Sequence, residues 1–338
     1  MSAGSAWKPR EAAASELRSI VEPTLVRWVA RLLGAAERVQ SALPRARMSV
    51  RHARELWLLE LCLPLGPADA DEHAFCDLVR DAYLTLLSEM RDRAIVPLRW
   101  WNYLPDIGRP SPVAGTRYEV FSSGRFAAYT QWFERAPFDK QLRPASAVGH
   151  RGDELVVHVL AGRGAGVAIE NPRQRPAYRY SRRYGPVPPS FARAMLLAPG
   201  WMGAPALEGE PAIGIVAGTA SIVGEDSRHA SDLDAQLAEI ATNLAALARA
   251  MEPSDGAGTA QDVAAALTGY RHLRAYLVDA SRAAGVRRWA ERTFPALDSF
   301  ELVAADLCRP ELMVEIEGVL EVSDRPPRAT ATSARGDV

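Results

Sequence analysis

The chain has 338 residues, which is long enough for two ordinary domains or one large one. With 48% hydrophobic and 24% charged residues, it can bury a core and is unlike a disordered chain. The formal net charge of −1 argues against nucleic-acid or membrane-surface binding, because both need an excess of basic side chains. We therefore expect a folded protein that binds neither nucleic acid nor a membrane.

The positive charge comes almost entirely from arginine, since the only lysines are Lys8 and Lys140. Arginine forms no Schiff base but binds carboxylates bidentately, so an imine mechanism is disfavoured and an anionic substrate is easily accommodated. A GC-rich genome would give the same bias. Cys62, Cys76 and Cys308 lie far apart, without the spacing of a disulfide framework or a zinc site. We expect no metal or cofactor, and the lack of an apolar leader or long apolar run predicts a cytoplasmic protein.

Apolar periodicity predicts alternating strands and helices along the chain. Strands are expected at 56–65, 95–103, 154–160, 213–222, 272–278 and 312–317. Helical spacing is found at 26–42, 74–91, 118–133, 233–251 and 282–293. Ser231 is positioned to cap the helix that follows it.

The two halves share an order of strand, long helix, strand, short helix and strand. Tyr103–Asp106 in the first half matches Tyr276–Asp279 in the second, and the motif at 132–135 matches the one at 289–292. This predicts an α+β fold of two tandem units, each a mixed β-sheet with helices packed on one face. A ligand pocket would then lie between the sheets.

The repeat predicts one domain in each half of the chain. Residues 1–165 are expected to form the N-terminal domain and residues 191–322 the C-terminal domain, to which the family resemblance given below assigns catalysis. Between them, residues 166–190 are a connecting segment rich in arginine, tyrosine and proline, and residues 323–338 are a polar tail expected to be disordered. The connecting segment fits either a linker or a loop that clamps a carboxylate, and its interleaved arginines and tyrosines favour the loop.

The strand at 312–317 places Glu315 and Glu317 on the same face. Two acids on one face are ordinary if that face is solvated, as on an edge strand. They are unusual if the face closes a pocket. The alternation alone leaves both interpretations open.

The second half resembles the YjgF/RidA superfamily from about residue 191 to 322. The resemblance is carried by Phe191-Ala192-Arg193-Ala194, Val216-Ala217-Gly218-Thr219-Ala220, Asn243-Leu244, Tyr276-Leu277-Val278-Asp279 and Arg309-Pro310-Glu311-Leu312-Met313-Val314-Glu315-Ile316-Glu317. Imine deaminases of that superfamily carry an arginine in a Pro-Ala-Arg context. Here Leu297 follows Pro295-Ala296, which argues against deaminase activity.

Over roughly residues 50–322 the chain resembles the chorismatases, whose degenerate N-terminal half precedes a YjgF-like half. The motifs are Arg99-Trp100-Trp101-Asn102-Tyr103-Leu104-Pro105-Asp106-Ile107, Arg117-Tyr118, Gly124-Arg125, Gly149-His150-Arg151-Gly152-Asp153, Glu170-Asn171-Pro172-Arg173-Gln174, Tyr184-Gly185-Pro186, Gly218-Thr219-Ala220-Ser221-Ile222-Val223-Gly224 and Ser227-Arg228-His229. The fold and activity that this resemblance implies are expectations here.

The resemblance makes Glu315 the acid that protonates the enolpyruvyl methylene of chorismate, with Glu317 as the competing candidate. A glutamic acid that is protonated near neutral pH needs its pKa raised by burial, to about 6–7. Cys308 and Gly218 match the family branch that forms 3-hydroxybenzoate, whereas the diol-forming branch has alanine at both places. Cys308 fits equally well as a small buried hydrophobe.

Arg125, Arg179 and Arg193 are the expected ligands of the two substrate carboxylates, with Tyr178 and Tyr184 as hydroxyl donors. Each arginine also has a structural alternative, namely a helix cap for Arg125, a solvated position for Arg179 and an ion pair for Arg193. We expect the arginines across the pocket from the acid, since a neighbouring cation would lower its pKa.

The implied function is cleavage of chorismate to 3-hydroxybenzoate and pyruvate. The alternatives are a diol-forming chorismatase, a mixed producer of 3- and 4-hydroxybenzoate, and a non-catalytic YjgF-like ligand-binding protein. The resemblance implies a small-molecule dianion as partner, and either a monomer or a small homo-oligomer, because two units in one chain supply part of the contact that YjgF trimers make between subunits.

Overall fold

The computed structural model describes residues 18–19, 23–133, 138–164, 166–202, 210–252 and 263–322. The expected disordered tail at 323–338 lies outside the described residues. Within the described ranges, no helix is both long enough and apolar enough to cross a membrane.

The first half of the chain contains, in order, β1 (Arg18–Ser19), α1 (Arg27–Leu33), β2 (Glu37–Ala42), β3 (Arg47–Ala53), β4 (Leu56–Pro64), α2 (Glu72–Asp92), β5 (Val96–Pro105), β6 (Pro110–Ser111), β7 (Gly115–Thr116), α3 (Arg117–Trp132), α4 (Phe138–Gln141), β8 (Ala145–His150) and β9 (Glu154–Gly162). The second half contains β10 (Val167–Ile169), β11 (Ala194–Leu197), β12 (Ala212–Thr219), β13 (Ile222–Val223), β14 (Asp226–Ser227), α5 (Leu233–Met251), α6 (Val263–Ala266), β15 (Tyr270–Leu277), α7 (Ala283–Thr293), β16 (Ser299–Ala304) and β17 (Val314–Val322).

The strands form two large mixed sheets with the same core topology. The first has the order β2-β3-β4-β9-β5-β8 and the second β1-β16-β15-β17-β12-β11-β10. The segment β3-β4-β9-β5-β8 of one corresponds strand for strand to β11-β12-β17-β15-β16 of the other. Each of these five-strand segments contains one parallel pair, β5 with β8 and β15 with β16. The strands of each pair are parallel because a helix connects one to the other. The predicted α+β fold of two tandem units is therefore confirmed.

Helices cover one face of each sheet. Helices α2 and α3 pack on the first sheet in one apolar cluster, and α5 and α7 pack on the second sheet in another. A third cluster joins the two sheets, with Trp101 and Val148 from the first and Ile215 and Tyr276 from the second. We call residues 37–162 the first unit and residues 167–322 the second unit. Strand β1 also joins the second sheet, next to β16.

Two local predictions were wrong. The helical spacing at 26–42 yields only the short helix α1, because Gly34 adopts a φ of 53° that ends the helix, and β2 follows. The cap of α5 is Asp232 rather than Ser231. Its side chain accepts a hydrogen bond from the backbone N–H of Ala235, and a carboxylate there also complements the helix dipole.

Candidate active site

A cavity of about 850 Å3, including its mouth, lies where the two units meet. Helix α3 and strand β8 of the first unit form one wall, and β12 and β17 of the second unit form the other. Its lining residues are Tyr118, Glu119, Phe121, Ser122, Arg125, Ala145, Ser146, Ala147, Tyr180, Tyr184, Pro189, Ser190, Phe191, Arg193, Gly218, Ala220, Ile222, Cys308, Arg309, Leu312 and Glu315.

The structure brings six of the eight proposed site residues to this one cavity. They are Arg125, Tyr184, Arg193, Gly218, Cys308 and Glu315. Tyr178 and Arg179 are not among the residues that line it. Arg179 is exposed and lies over the ring of Tyr178, with its guanidinium carbon 5.7 Å from the ring centroid.

Glu315 lies on a central strand, since β17 is flanked by β15 and β12. Its side chain lines the cavity and only 7% of the residue is exposed, so the solvated edge strand is the wrong interpretation. Among the described residues, no guanidinium lies within 4 Å of its carboxylate. Burial, and secondly the negative charge of Glu317, raise the pKa of Glu315 to about 8, above the expected range. The residue therefore carries a proton at neutral pH.

Glu317 has a different environment, although it lies on the same strand face. Its carboxylate accepts hydrogen bonds from Arg99 Nη2 at 2.6 Å, Trp101 Nε1 at 2.8 Å, Ser146 Oγ at 2.6 Å and Tyr276 OH at 3.2 Å. Glu317 is not among the residues that line the cavity. These four hydrogen bonds hold the Glu317 carboxylate against β5, β8 and β15, away from the cavity.

Gly218 leaves the space that the Glu315 side chain occupies. An ideal Cβ on Gly218 would overlap the Glu315 carboxylate. The register between β12 and β17 shifts between Val216 and Thr219, so a β-bulge lies directly beside the acid. Bulges next to active sites re-aim side chains, and here the missing Cβ makes room for the Glu315 carboxylate.

Arg125 and Arg193 are buried arginines that line the cavity, each 4% exposed. Arg125 Nη2 donates to the hydroxyl of Tyr129 at 3.1 Å, and Arg193 Nη2 donates to the hydroxyl of Tyr180 at 2.6 Å. The Nε atom of each is buried without a hydrogen-bond partner. Burial raises the pKa of the nearby Glu170, and the charge of Arg193, a smaller effect, lowers it. Arg125 lies within α3 and caps no helix end. A buried guanidinium with an unsatisfied N–H is costly, so this pair favours an anionic ligand.

Cys308 and Tyr118 complete the wall near the acid. Desolvation, and secondly the charge of Glu315, raise the pKa of the Cys308 thiol to about 12, so the thiol is neutral at pH 7. Burial is also the largest cause that raises the pKa of Tyr118, followed by the charges of Cys308 and Glu315. Both groups therefore act as neutral hydrogen-bonding or packing groups, because no thiolate nucleophile forms near neutral pH.

The segment from Tyr180 to Arg193 closes the cavity. Ser181 donates from both its backbone N–H and its Oγ to Glu225, at 2.9 and 2.7 Å, and Arg183 pairs with Asp226. Glu225 lies in the turn between β13 and β14 and Asp226 begins β14, so the segment is bound to the second unit. It is a structured wall of the cavity and not an inter-domain linker.

Two residues that line the cavity, Tyr180 and Arg309, were not predicted from the sequence. The guanidinium carbon of Arg309 lies 3.9 Å from the ring centroid of Tyr184, and its Nη1 donates to the carbonyl of Glu225 at 2.9 Å. The interleaved arginines and tyrosines pointed to the correct segment. Which tyrosine faces inward depends on two short 3-10 turns, Ala177–Arg179 and Arg182–Tyr184, which the periodicity does not reveal.

The cavity wall also lacks a metal-ligand set. In the described part of the chain, no group of three or more histidine, cysteine, aspartate or glutamate side chains could hold a metal ion. The polar groups that line it are the protonated acid Glu315, the guanidiniums of Arg125 and Arg193, a thiol and several hydroxyls, together with Glu119 and Arg309. This set can bind an organic dianion and transfer a proton to it.

Comparison with known proteins identifies the family. Residues 35–161 match the family model for the N-terminal domain of FkbO/Hyg5-like chorismatases. A 3-hydroxybenzoate synthase of Streptomyces hygroscopicus is 33% identical over 250 residues, which cover 73% of this chain and 70% of that protein. A chorismatase of Streptomyces rapamycinicus is 31% identical over 224 residues, 66% of this chain and 63% of the relative.

The fold agrees with these sequence matches. A chorismatase crystal structure superposes with a TM-score of 0.64 at 24% identity, covering 83% of this chain and 78% of that one. The chain thus shares its fold with that chorismatase. The chain belongs to the chorismatase family.

Proposed function

We propose that this protein cleaves chorismate to 3-hydroxybenzoate and pyruvate, with Glu315 as the general acid. The single observation that carries the proposal is the cavity itself, which is lined by one protonated carboxyl group and by two buried guanidiniums whose Nε atoms have no hydrogen-bond partner. The identity of 33% with a 3-hydroxybenzoate synthase supports the choice of substrate and product.

Arg125 and Arg193 bind the two carboxylates of chorismate. Chorismate is a dianion, and each cavity guanidinium has an Nε–H without a partner, so each carboxylate gains a charge-assisted hydrogen bond on binding. Tyr180 and Tyr184 add hydroxyl groups from the closing segment. Arg179 and Tyr178 remain proposed ligands, and they would have to turn toward the cavity when substrate binds.

Glu315 donates its proton to the methylene carbon of the enolpyruvyl group. The side chain then carries an oxocarbenium-like centre and becomes a leaving group, which departs as pyruvate when its bond to the ring breaks. The neighbouring ring hydroxyl displaces it and forms an epoxide-like intermediate. Epoxide formation releases the hydroxyl proton, which restores Glu315. Ring opening with loss of a ring proton then gives 3-hydroxybenzoate, and a proton returns to the oxygen that opens. No water is consumed, so the products together contain the atoms of chorismate.

Gly218 and Cys308 direct the reaction toward the aromatic product. Gly218 leaves room for the Glu315 carboxylate, and the neutral Cys308 thiol occupies the wall where the ring steps take place. The diol-forming reaction, in which water attacks instead, is the second candidate. The 31% identity with a chorismatase fits either product.

One chain supplies both walls of the cavity, so the reaction needs no second subunit, and a monomer or small homo-oligomer fits. Cys62, Cys76 and Cys308 are free thiols, as is usual for proteins of the reducing cytoplasm. We place the enzyme there.

The test compares chorismate loss and pyruvate release for the wild type, Glu315→Gln and Glu311→Gln. Glu311 precedes the same strand but does not line the cavity, so it is the matched control. We expect Glu315→Gln to lose roughly 100- to 10,000-fold in kcat, the range typical of a missing general acid, with chorismate binding retained. Full turnover by Glu315→Gln would refute the assigned acid.

A further inference from the structure

We propose that Glu317 is a positioning residue for the reaction, a fixed negative charge that the first unit holds beneath Glu315 and that keeps Glu315 in its acid form. The inference rests on the proposed role of Glu315 as proton donor. It assigns a task to the buried cluster of Arg99, Trp101, Ser146 and Tyr276, which the mechanism above does not use.

The geometry places the two acids together. Glu315 and Glu317 are two residues apart on β17, so their side chains project from the same face of the strand. Both are buried, with 7% and 3% of each residue exposed. Residues two apart on a strand are about 7 Å apart along it, and in a medium of low dielectric two negative charges at such a distance repel each other, which favours the protonated form of one of them.

The hydrogen bonds around the two side chains decide which carboxyl group keeps its proton. Arg99 forms an ion pair with Glu317 at 2.6 Å, and the two side chains are 1% and 4% exposed. Trp101, Ser146 and Tyr276 add three neutral donors to the same carboxylate. Within the described residues, Glu315 has no such donors and no ion pair. Glu317 is therefore the anion and Glu315 the acid.

The other groups around Glu315 do not change the assignment of Glu315 as the acid and Glu317 as the anion. The two guanidiniums that lower its pKa are Arg99, which is already paired with Glu317, and Arg193 on the flank of β11. Cys308 and Tyr118 face it as neutral groups, because burial raises the pKa of both. Tyr276 of β15 directs its hydroxyl to Glu317. Among the described groups that act on Glu315, the anion at Glu317 is the charge that opposes its ionisation.

The residues that bind Glu317 come from both units, so the first unit influences the charge at the site. Arg99, Trp101 and Ser146 come from β5 and β8, whereas Glu317 and Tyr276 come from the second unit. The first unit thus supplies three of the four donors that keep Glu317 ionised. Ser146 also lines the cavity, which connects this cluster to the substrate site.

The experiment measures the protonation of Glu315 directly. Infrared spectra of the full-length protein are recorded across pH, and the carboxylic acid band lost in Glu315→Gln is assigned to Glu315. The spectra are compared for wild type, Glu317→Gln, which keeps the shape but removes the charge, and Glu317→Asp, which keeps the charge but shortens the side chain. The pH profile of chorismate turnover is recorded for the same proteins.

We expect Glu317→Gln to shift the Glu315 titration, and the alkaline limb of turnover, down by about one pH unit or more. Glu317→Asp should restore most of that shift. If Glu317 acted only through packing, the near-isosteric glutamine would preserve the titration better than aspartate. An unchanged titration in Glu317→Gln, or equal shifts in both variants, would overturn the proposal.

The result also separates this inference from the proposed function. A shifted infrared titration in a protein whose Glu315→Gln variant still turns over chorismate supports the charge coupling and refutes the acid assignment. If Glu317→Gln fails to fold because Arg99 is left unpaired, the double variant Arg99→Met/Glu317→Gln removes both charges. The downward shift should persist there, at reduced size, and its absence would contradict the proposal.

Discussion

Gly218 and Glu315 occupy the same small space on neighbouring strands, so that the carboxylate of one fills the position where a Cβ of the other would lie. A side chain at 218 and the observed orientation of Glu315 are therefore mutually exclusive. The bulge at this point in β12 is thus a part of the site, because the position of the acid depends on it.

Replacing Gly218 should alter both rate and product. Gly218→Ala forces the Glu315 carboxylate to move, so we expect a fall in kcat of about 10-fold or more from misplacement of the acid. Combined with Cys308→Ala, it should raise the fraction of dihydrodiol among the products, measured by chromatography and mass. Gly285→Ala is the matched control, since an added Cβ there meets nothing within 4 Å. An unchanged product ratio in the double variant would refute the branch assignment.

The activity should depend on pH through Glu315. Its pKa is raised to about 8, so the protonated, active form dominates below pH 8 and is lost as the pH rises through that value. We therefore expect kcat/KM to be flat near neutrality and to fall about tenfold per unit well above pH 8. A profile of kcat/KM that rises through pH 8 would show that the required form of the enzyme is deprotonated.

The same raised pKa has a consequence for stability. The carboxyl group has a pKa of 4.5 in the unfolded chain and about 8 in the folded one, so folding holds a proton that the unfolded state releases between these values. The free energy of unfolding should therefore fall as pH rises from about 4.5 to about 8. Glu315→Gln removes this penalty and should be more stable than wild type at pH 8, by roughly 1–4 kcal/mol.

Urea unfolding at several pH values checks this difference. The gap between wild type and Glu315→Gln should widen with pH, whereas Glu311→Gln should follow wild type in parallel. A gap that stays constant from pH 5 to pH 8 would contradict the raised pKa.

Substrate affinity should depend on the two cavity arginines. Arg125→Gln and Arg193→Gln each remove a charge-assisted hydrogen bond to a substrate carboxylate, which corresponds to roughly a 10- to 100-fold rise in KM. Arg143 is the control, because it is buried outside the cavity and bonds the carbonyls of Pro97 and Lys140. Arg143→Gln should lower the melting temperature without raising KM. Equal KM values for all three variants would mean that neither cavity arginine binds the substrate.

Much of the architecture was predictable from the sequence, since it depends on local patterns. The apolar stripe that includes Phe75, Val79 and Leu86 forms the buried face of α2, and paired motifs such as Tyr103–Asp106 and Tyr276–Asp279 reveal the duplicated unit. The prediction of a helix at 26–42 was wrong because one glycine with a positive φ ends the helix early, and a strand follows.

The arrangement around the acid was not predictable, because it depends on contacts between distant residues. Arg99 and Glu317 are 218 positions apart, and Ser146 and Glu317 are 171 apart. Alternation along β17 placed both acids on one face but could not tell which of them faces the cavity. In the proposed mechanism, Glu317 differs from Glu315 by its hydrogen-bond donors, three of which come from the first unit.

Product analysis tests the central claim most directly. Purified full-length protein is incubated with chorismate, and the products are separated by chromatography and identified by mass, with Glu315→Gln in parallel. We predict equimolar pyruvate and 3-hydroxybenzoate from the wild type and neither product from the variant. Pyruvate with a dihydrodiol would contradict the branch assignment, and the absence of pyruvate from the wild type would contradict the account as a whole.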